Sequence, residues 1–168
     1  MRLEKYKEAN IRFIQRYTYQ YVIHLTFVMY NSKSKKINYY IPEEVQRQSI
    51  NFLLYLLNRK MFGRNYKKND AYLKGFIFRE KKELADNPHY HILIEDDPVF
   101  TDTSKPSFET HLRNLLHIPR TPTNKKSFHP AGVSVEKIYA ENGIIEYCNK
   151  RFQLNASHMG ILSIGGLV

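Results

Sequence analysis

The sequence predicts an α+β fold, with a mainly antiparallel central sheet and helices packed against it. Strand-like and helix-like segments alternate along the chain, and one hairpin lies in the middle, within residues 71–95. A long amphipathic helix at 42–62 separates the first strand from that hairpin. A chain of 168 residues is most simply one domain, large enough to bury a core.

The first half of the chain contains a strand and then a helix. "YVIHLTFVMY" (21–30) is rich in β-branched and aromatic residues, which is typical of a central strand. A basic turn and a short extended "INYYI" follow. Pro42 then stands at a first helical position, acidic residues occupy the first turn, and apolar residues recur at helical spacing until Gly63. This pattern predicts the helix at 42–62.

The second half begins with the hairpin, whose strands are "AYLKGFIFREKKE" (71–83) and "HYHILIE" (89–95). Ser107 resembles the start of a capping box and opens a short helix, "SFETHLRNLLHI". The other predicted elements are a loop at 98–106, a loop at 119–130, a strand at 132–138 and a helix at 142–153.

The predicted order is therefore strand, helix, strand, strand, helix, strand, helix. A split βαβ, ferredoxin-like sandwich is the simplest way to close this order into one core. We expect a single domain over 1–168, with its motif-bearing part at about 21–153. The apolar, glycine-rich segment 154–168 is expected to be an edge strand or the truncated junction to a longer protein.

The charge of the chain indicates a polyanionic partner. Lys and Arg total 26 against 16 Asp and Glu, a formal net charge of +10. Binding a nucleic acid with such a surface releases condensed counterions, and the 13 tyrosines and 10 phenylalanines offer rings on which bases can stack. The basic side chains predicted to contact nucleic acid are Lys81, Lys82, Lys125, Lys126 and Arg151.

Several classes of protein are disfavoured by what the sequence lacks. Cys148 is the only cysteine, so neither a disulfide framework nor a cysteine zinc cluster is expected. No apolar run is long enough to cross a bilayer, and the charged first residues do not resemble a secretory signal. We therefore expect a cytoplasmic protein without a membrane partner. No G-x-x-x-x-G-K-[ST] phosphate loop is present, so a helicase motor is not expected.

The stretch "NPHYHILIED" carries a candidate metal site. In a strand, His89 and His91 project from the same face. A four-residue turn at 84–87 would place Glu80 opposite His91, whereas a turn one residue longer or shorter would instead bring Glu83 opposite His89. Two imidazoles and a carboxylate leave open positions on an ion, which suits catalysis. The mixed nitrogen and oxygen donors favour Mn²⁺ or Mg²⁺, with zinc as the alternative.

A candidate nucleophile lies in the last predicted helix. Tyr147 falls at the flank of the apolar stripe, with Lys150 and Arg151 beside it on the helix surface. The phenol of tyrosine has a pKa near 10, so a neighbouring cation or metal is needed to populate the phenolate. The alternative is that Tyr147 only anchors the edge of the helix.

Together these stretches resemble the HUH superfamily of single-strand DNA endonucleases, which includes rolling-circle replication initiators, relaxases and related transposases. The matching motifs are "HLTF" (24–27), "HYH" (89–91) and "YCNK" (147–150), in the family's order. The second tyrosine of the two-tyrosine subclass would stand at Arg151, so the chain is similar to the single-tyrosine type.

The resemblance implies a role for each matching residue. Tyr147 would attack a scissile phosphodiester at an origin or element end in single-stranded DNA, giving a 5′-phosphotyrosine. His89, His91 and Glu80 would hold the divalent ion, and Lys150 would neutralise charge at the phosphate or lower the pKa of the tyrosine. A helicase would act in trans or belong to a missing C-terminal domain.

Two alternative functions remain compatible with the sequence. "KGFIFRE" (74–80) is similar to an RNA-recognition-motif signature, and a non-catalytic RNA binder would also explain the charge and the aromatic residues. A metal-dependent phosphodiesterase without a covalent intermediate is the other alternative. The remaining five histidines, at positions 24, 111, 117, 129 and 158, are expected to be structural, although His24 would reach the metal site if it faced it.

Overall fold

The protein has an α+β architecture in a computed structural model that describes residues 8–9, 11–27, 30–31, 38–39, 41–80, 89–119, 126–139 and 161–163. The strands are β1 (Tyr19–Phe27), β2 (Tyr30–Asn31), β3 (Asn38–Tyr39), β4 (Gly75–Glu80), β5 (His89–Glu95), β6 (Phe128–Lys137) and β7 (Ile161–Ser163). The α-helices are α1 (Glu43–Phe62) and α2 (Phe108–Leu115), and Pro98–Thr101 forms a 3-10 helix. None of the described helices is both long and apolar enough to span a bilayer.

The main sheet has five antiparallel strands in the order β6-β1-β5-β4-β7. Its four longest strands follow the order fourth, first, third, second along the chain, with α1 after the first and α2 after the third. This is the split βαβ arrangement, so the predicted ferredoxin-like sandwich is confirmed. The short β7 pairs with β4, in agreement with the edge-strand prediction for the end of the chain.

One face of the sheet carries both α1 and α2. Tyr90, Ile92 and Ile94 of β5 point to this side, as their alternation with the histidines predicts, and they lie in the same buried cluster as the apolar side of α1. The α1 residues in this cluster are Ile50, Leu53, Leu54, Leu57 and Met61. Gly63 ends the helix with a φ of 84°, a left-handed conformation that favours glycine.

The opposite face is divided into an apolar part and a polar part. Val22, Phe76, Phe78 and Leu93 form a second buried cluster, packed against residues 11–17. The helical turn within this N-terminal segment was not predicted. Farther along β1 and β5, the same face carries histidine and threonine side chains instead of apolar ones. Because α1 and α2 pack on the other face, this polar site lies on the side of the sheet away from both helices.

Two predicted strand boundaries are wrong. The strand predicted at 71–83 begins only at Gly75, because the backbone N–H of Leu73 donates to Asn58 Oδ1 on α1 (2.7 Å) rather than to a neighbouring strand. β6 begins at Phe128, inside the segment 119–130 that was predicted to be a loop.

The early start of β6 follows from side-chain packing. Phe128 is buried and pairs with Phe27, with ring centroids 5.0 Å apart. The predicted helix at 142–153 lies outside the described residues.

A buried hydrogen bond joins the central strand to α1 and gives a test of the core. The Tyr90 hydroxyl donates to Gln46 Oε1 (2.7 Å), and Gln46 Nε2 donates to the carbonyl of Ile41 (2.5 Å). We expect Tyr90→Phe to lower the free energy of unfolding by about 1–2 kcal/mol, because the amide oxygen stays buried without its donor. The control Tyr55→Phe, at a position 36% exposed, should change it by less than about 0.5 kcal/mol.

The same phenol gives a prediction for alkaline pH. Burial raises the pKa of Tyr90 to about 12. A folded-state pKa above the unfolded value of about 10 means that this contribution to stability is complete below pH 10 and is lost as the pH rises towards 12. Urea denaturation at pH 7 and pH 11 should show a smaller alkaline loss in Tyr90→Phe than in the wild type. An equal loss in both proteins would contradict the assignment.

Candidate metal centre on the histidine face of the sheet

Four side chains meet on the face of the sheet opposite α1 and α2. In the register of β1 with β5, Thr26 lies directly opposite His89 and His24 lies directly opposite His91. Directly opposed residues of antiparallel strands share a face, and their side chains are in contact distance. The alternation that places His89 and His91 on one side therefore brings His24 and Thr26 to the same side.

His91 and His24 are joined through their rings. Their Nδ1 atoms lie 2.8 Å apart, and the rings are nearly perpendicular, at 86°. One Nδ1–H donates and the other Nδ1 accepts, so at most one of the two rings carries a proton at this contact. This bond supplies a polar partner to His91, which is only 7% exposed.

Burial keeps both of these rings neutral near pH 7. It lowers the pKa of His91 below its ordinary value of 6.5. Burial also lowers the pKa of His24, with a second contribution from the neighbouring His91, while Glu136 acts in the opposite direction. Neutral imidazole is the form that binds a metal ion, so the electrostatics of the site favour a ligand role for His91.

His89 is oriented by the hydroxyl of Thr26, whose Oγ1 lies 2.9 Å from His89 Nδ1. Gly132 of β6 makes room for this threonine. A Cβ at position 132 would stand 2.6 Å from Thr26 Cβ and 3.0 Å from its Oγ1. The pairing of β1 with β6 is irregular at this point, between Leu25 and Phe27. The glycine is therefore required by the close approach of β6 to Thr26.

Glu136 of β6 extends the row of polar groups across a third strand. Its Oε1 lies 3.8 Å from His24 Nε2. Because the lowered pKa of His24 keeps that ring neutral, the contact is not an ion pair at neutral pH. Glu136, His24 and His91 thus lie in sequence on β6, β1 and β5, three neighbouring strands of the sheet.

The predicted cross-strand partner of Glu80 is wrong. The register of β4 with β5 pairs Glu80 with His89, and Phe78 stands opposite His91. The pairing differs by two residues from the one that a four-residue turn at 84–87 would give, and a shift of two preserves the face of every side chain. In the backbone register, position 80 therefore lies beside His89 and not beside His91.

The structure brings together only part of the predicted site. Tyr147, Lys150, Arg151, Lys81, Lys82 and Lys125 lie outside the described residues. Lys126 is described and lines a pocket between α2 and β6, away from the histidine face. His24 was predicted to be structural, yet it contacts His91. The signal that could have identified it is the spacing of His24 and Thr26, which matches that of His89 and His91.

The donor chemistry fits a metal site in part. Nδ1 of His89 and Nδ1 of His91 both contact β1, and outer contacts of this kind fix the orientation of histidines that ligate a metal. Within the described residues, no three or more His, Cys, Asp or Glu side chains form a group that could hold a metal. Further ligands would have to come from elsewhere, such as the side chain at position 80.

Comparison with known proteins gives no match to a family model, to a curated protein or to a solved structure.

The contact between β6 and Thr26 gives a prediction for Gly132→Ala. The added methyl group must displace Thr26, so we expect a loss of about 1–3 kcal/mol in the free energy of unfolding. The ¹⁵N and ¹H NMR signals of the His89 ring should also shift, because its Nδ1 partner moves. Ala131→Ser, at an exposed position of the same strand, is the matched control. Unchanged His89 signals in a folded Gly132→Ala protein would show that the threonine does not orient the ring.

Proposed function

We propose that the protein is a metal-dependent, site-specific endonuclease and strand transferase for single-stranded DNA, of the HUH type. The observation that carries the proposal is the pairing of two β1 side chains with the two histidines of β5. His24 and Thr26 each contact an Nδ1 atom, at 2.8 Å and 2.9 Å. The two contacts hold both rings in fixed orientations on one face of the sheet, as outer contacts do for histidines that ligate a metal.

The surroundings of this pair support the same proposal. Within the described residues, α1 and α2 pack on the other face of the sheet, and His24 and His89 keep part of their surface exposed. The net charge of +10 favours a nucleic acid over other substrates. The ordered motifs "HLTF", "HYH" and "YCNK" supply, in addition to the histidines, the tyrosine and lysine that the chemistry requires.

The proposed reaction is a phosphoryl transfer to tyrosine. The Tyr147 oxygen loses its proton and attacks the scissile phosphorus, the bond from phosphorus to the 3′-oxygen breaks, and that oxygen takes up a proton. The products are a 5′-phosphotyrosine and a 3′-hydroxyl. Because one phosphodiester replaces another, attack by a second 3′-hydroxyl reverses the step and joins strands. Lys150 would balance charge at the phosphate or lower the pKa of the phenol.

His89 and His91, together with Glu80, would hold the divalent ion. When bound, Mn²⁺ or Mg²⁺ would supply charge to polarise the non-bridging phosphate oxygens. The protein's own contribution is orientation, since rings fixed by Thr26 and His24 lose little freedom when they bind a ligand.

Within the superfamily we favour a rolling-circle replication initiator, because the chain is compact and carries one candidate tyrosine. A transposase or a relaxase with the same chemistry is the alternative. A separate helicase, in trans or in a further domain, would have to open the duplex. We propose a cytoplasmic location, because a chain with a single cysteine fits a reducing compartment.

The RNA-recognition-motif alternative gains no support from the sheet. In that module the aromatic residues of the signature stack on bases at the sheet surface. In "KGFIFRE" the aromatic residues are Phe76 and Phe78, which are 5% and 3% exposed and belong to the apolar cluster beneath residues 11–17. Rings buried in this way could not stack on RNA without displacing the N-terminal segment.

A covalent adduct tests the proposal directly. Protein, Mn²⁺ and labelled single-stranded oligonucleotides with candidate origin and element-end sequences are incubated and separated on a denaturing gel. We expect a slower, protein-linked band that is absent in Tyr147→Phe. Cleavage without a linked band would indicate a plain phosphodiesterase. Binding without cleavage of a verified origin sequence would support a non-catalytic module.

Replacing the two candidate ligands separates chemistry from DNA affinity. His89→Ala combined with His91→Ala should abolish cleavage while most DNA affinity remains, because that affinity depends on the basic surface. Affinity is measured by fluorescence anisotropy and folding by circular dichroism. Loss of folding in this variant would make the pair a structural feature.

The orienting role of Thr26 predicts a specific effect on metal binding. Thr26→Val keeps the shape of the side chain and removes the hydroxyl that contacts His89, so Mn²⁺ affinity should fall about 10-fold to 100-fold. Thr26→Ser keeps the hydroxyl and should retain most of the affinity. Isothermal titration with Mn²⁺ measures both variants. Equal affinities for the two variants would rule out a role for the hydroxyl.

A further inference from the structure

A pocket of about 330 Å³ lies between α2 and β6. Its floor is apolar and includes Leu116, Phe128 and Val133, while Arg113, His117 and Lys126 stand around it. Ligand sites in proteins are commonly concave and mainly apolar, with a few polar groups that orient the ligand, and they begin at about 300 Å³. The volume is therefore at the lower end of that range, which suits one small group and not an extended ligand.

The charge of the pocket indicates the chemistry of its occupant. Arg113 and Lys126 bring cationic side chains to the pocket, and His117 adds a ring with a hydrogen-bond donor. Among the described residues that line the pocket, none is acidic. An apolar floor beneath a cationic rim matches a molecule with a flat apolar body and an attached anion. A nucleotide, with its base and its phosphate, has this form.

The position of the pocket connects it to the histidine face. Ser134 belongs to the pocket lining, and in the register of β1 with β6 it lies directly opposite His24. Val133 and Val135 pack toward the α1 and α2 side, so the pocket opens on that side of β6 and the histidines lie on the other. Among the described strands β6 is at the edge of the sheet. A flexible single strand of DNA can therefore pass around β6 from one face of the sheet to the other.

We propose that this pocket binds one nucleotide of single-stranded DNA, at a position that flanks the phosphate held at the histidine face. The base and sugar contact the apolar floor, and Arg113 and Lys126 bind the adjoining phosphate. The proposal rests on the proposed function for its substrate. It adds a second contact point, which would select single strands because a paired base could not enter the pocket.

Charge variants with a matched control test the cationic rim. Binding of a fluorescein-labelled oligo(dT) is measured by anisotropy in metal-free buffer, where cleavage plays no part. Arg113→Gln with Lys126→Gln should weaken binding about 10-fold or more. It should also reduce the salt dependence, by about 0.7 in log–log slope for each lost phosphate contact. Lys67→Gln with Lys68→Gln removes the same charge elsewhere and should have a clearly smaller effect. Equal losses in the two double variants would overturn the proposal.

Filling the pocket tests the base contact without a change in charge. Leu116→Trp places an indole on the floor, and His117→Trp fills the mouth from an exposed position if the first variant does not fold. The wild type should bind oligo(dT) more tightly than an oligonucleotide of abasic sites, and the filled variant should bind the two alike. A filled variant that keeps the wild-type preference would overturn the proposal, as would stronger binding of oligo(U) than of oligo(dT).

The binding assays on the pocket variants and the nuclease assay can fail independently of each other. If a Tyr147-dependent adduct forms but the pocket variants bind oligo(dT) like the wild type, only the nucleotide pocket fails. If the pocket variants lose affinity and no adduct forms on any substrate, the nuclease proposal fails and a single-strand binding site stands.

Discussion

The register of β1 against β5 is the constraint on which the candidate site depends. It sets His24 against His91 and Thr26 against His89, so that both rings of β5 are held through Nδ1. A slip of one residue in this pairing would turn the histidines into the core and bring Tyr90 to the other face. The buried residues on the core side of both strands oppose such a slip. The same apolar contacts that stabilise the sheet therefore also fix the geometry of the polar group.

The two faces of the sheet are packed differently, and this difference leaves room for the polar site on one of them. α1 and α2 cover one face of the sheet, while residues 11–17 pack on the apolar part of the other. A histidine in a central strand loses solvation, and an unpaired buried ring would cost stability. His24 provides that partner for His91. Burial lowers the pKa of His91, so its ring is neutral near pH 7, which is the form in which histidine ligates metal ions.

Alternation and helical spacing were sufficient to predict the order of the elements β1, α1, β4, β5, α2 and β6, and the face of the histidines. They could not predict which histidine stands opposite Glu80. Two registers that differ by two residues place every residue of a strand on the same face, so the face pattern does not distinguish them. His24 was assigned a structural role since a lone histidine in an apolar strand has no visible partner until β1 is paired with β5. The start of β6 was missed because Pro130 and its polar neighbours are typical of a loop, although an edge strand accepts proline.

The contacts of Glu136 with His24 and of His24 with His91 make the geometry of the site depend on three strands. The position of the His91 ring depends on β1, and that of His24 depends on both β5 and β6. Gly132, which admits Thr26, and Ser134, which lines the pocket, belong to the same stretch of β6. A displacement of β6 would therefore alter the pocket and both cross-strand contacts together. The candidate metal centre and the pocket are thus not independent features, because one edge strand positions the groups that define each of them.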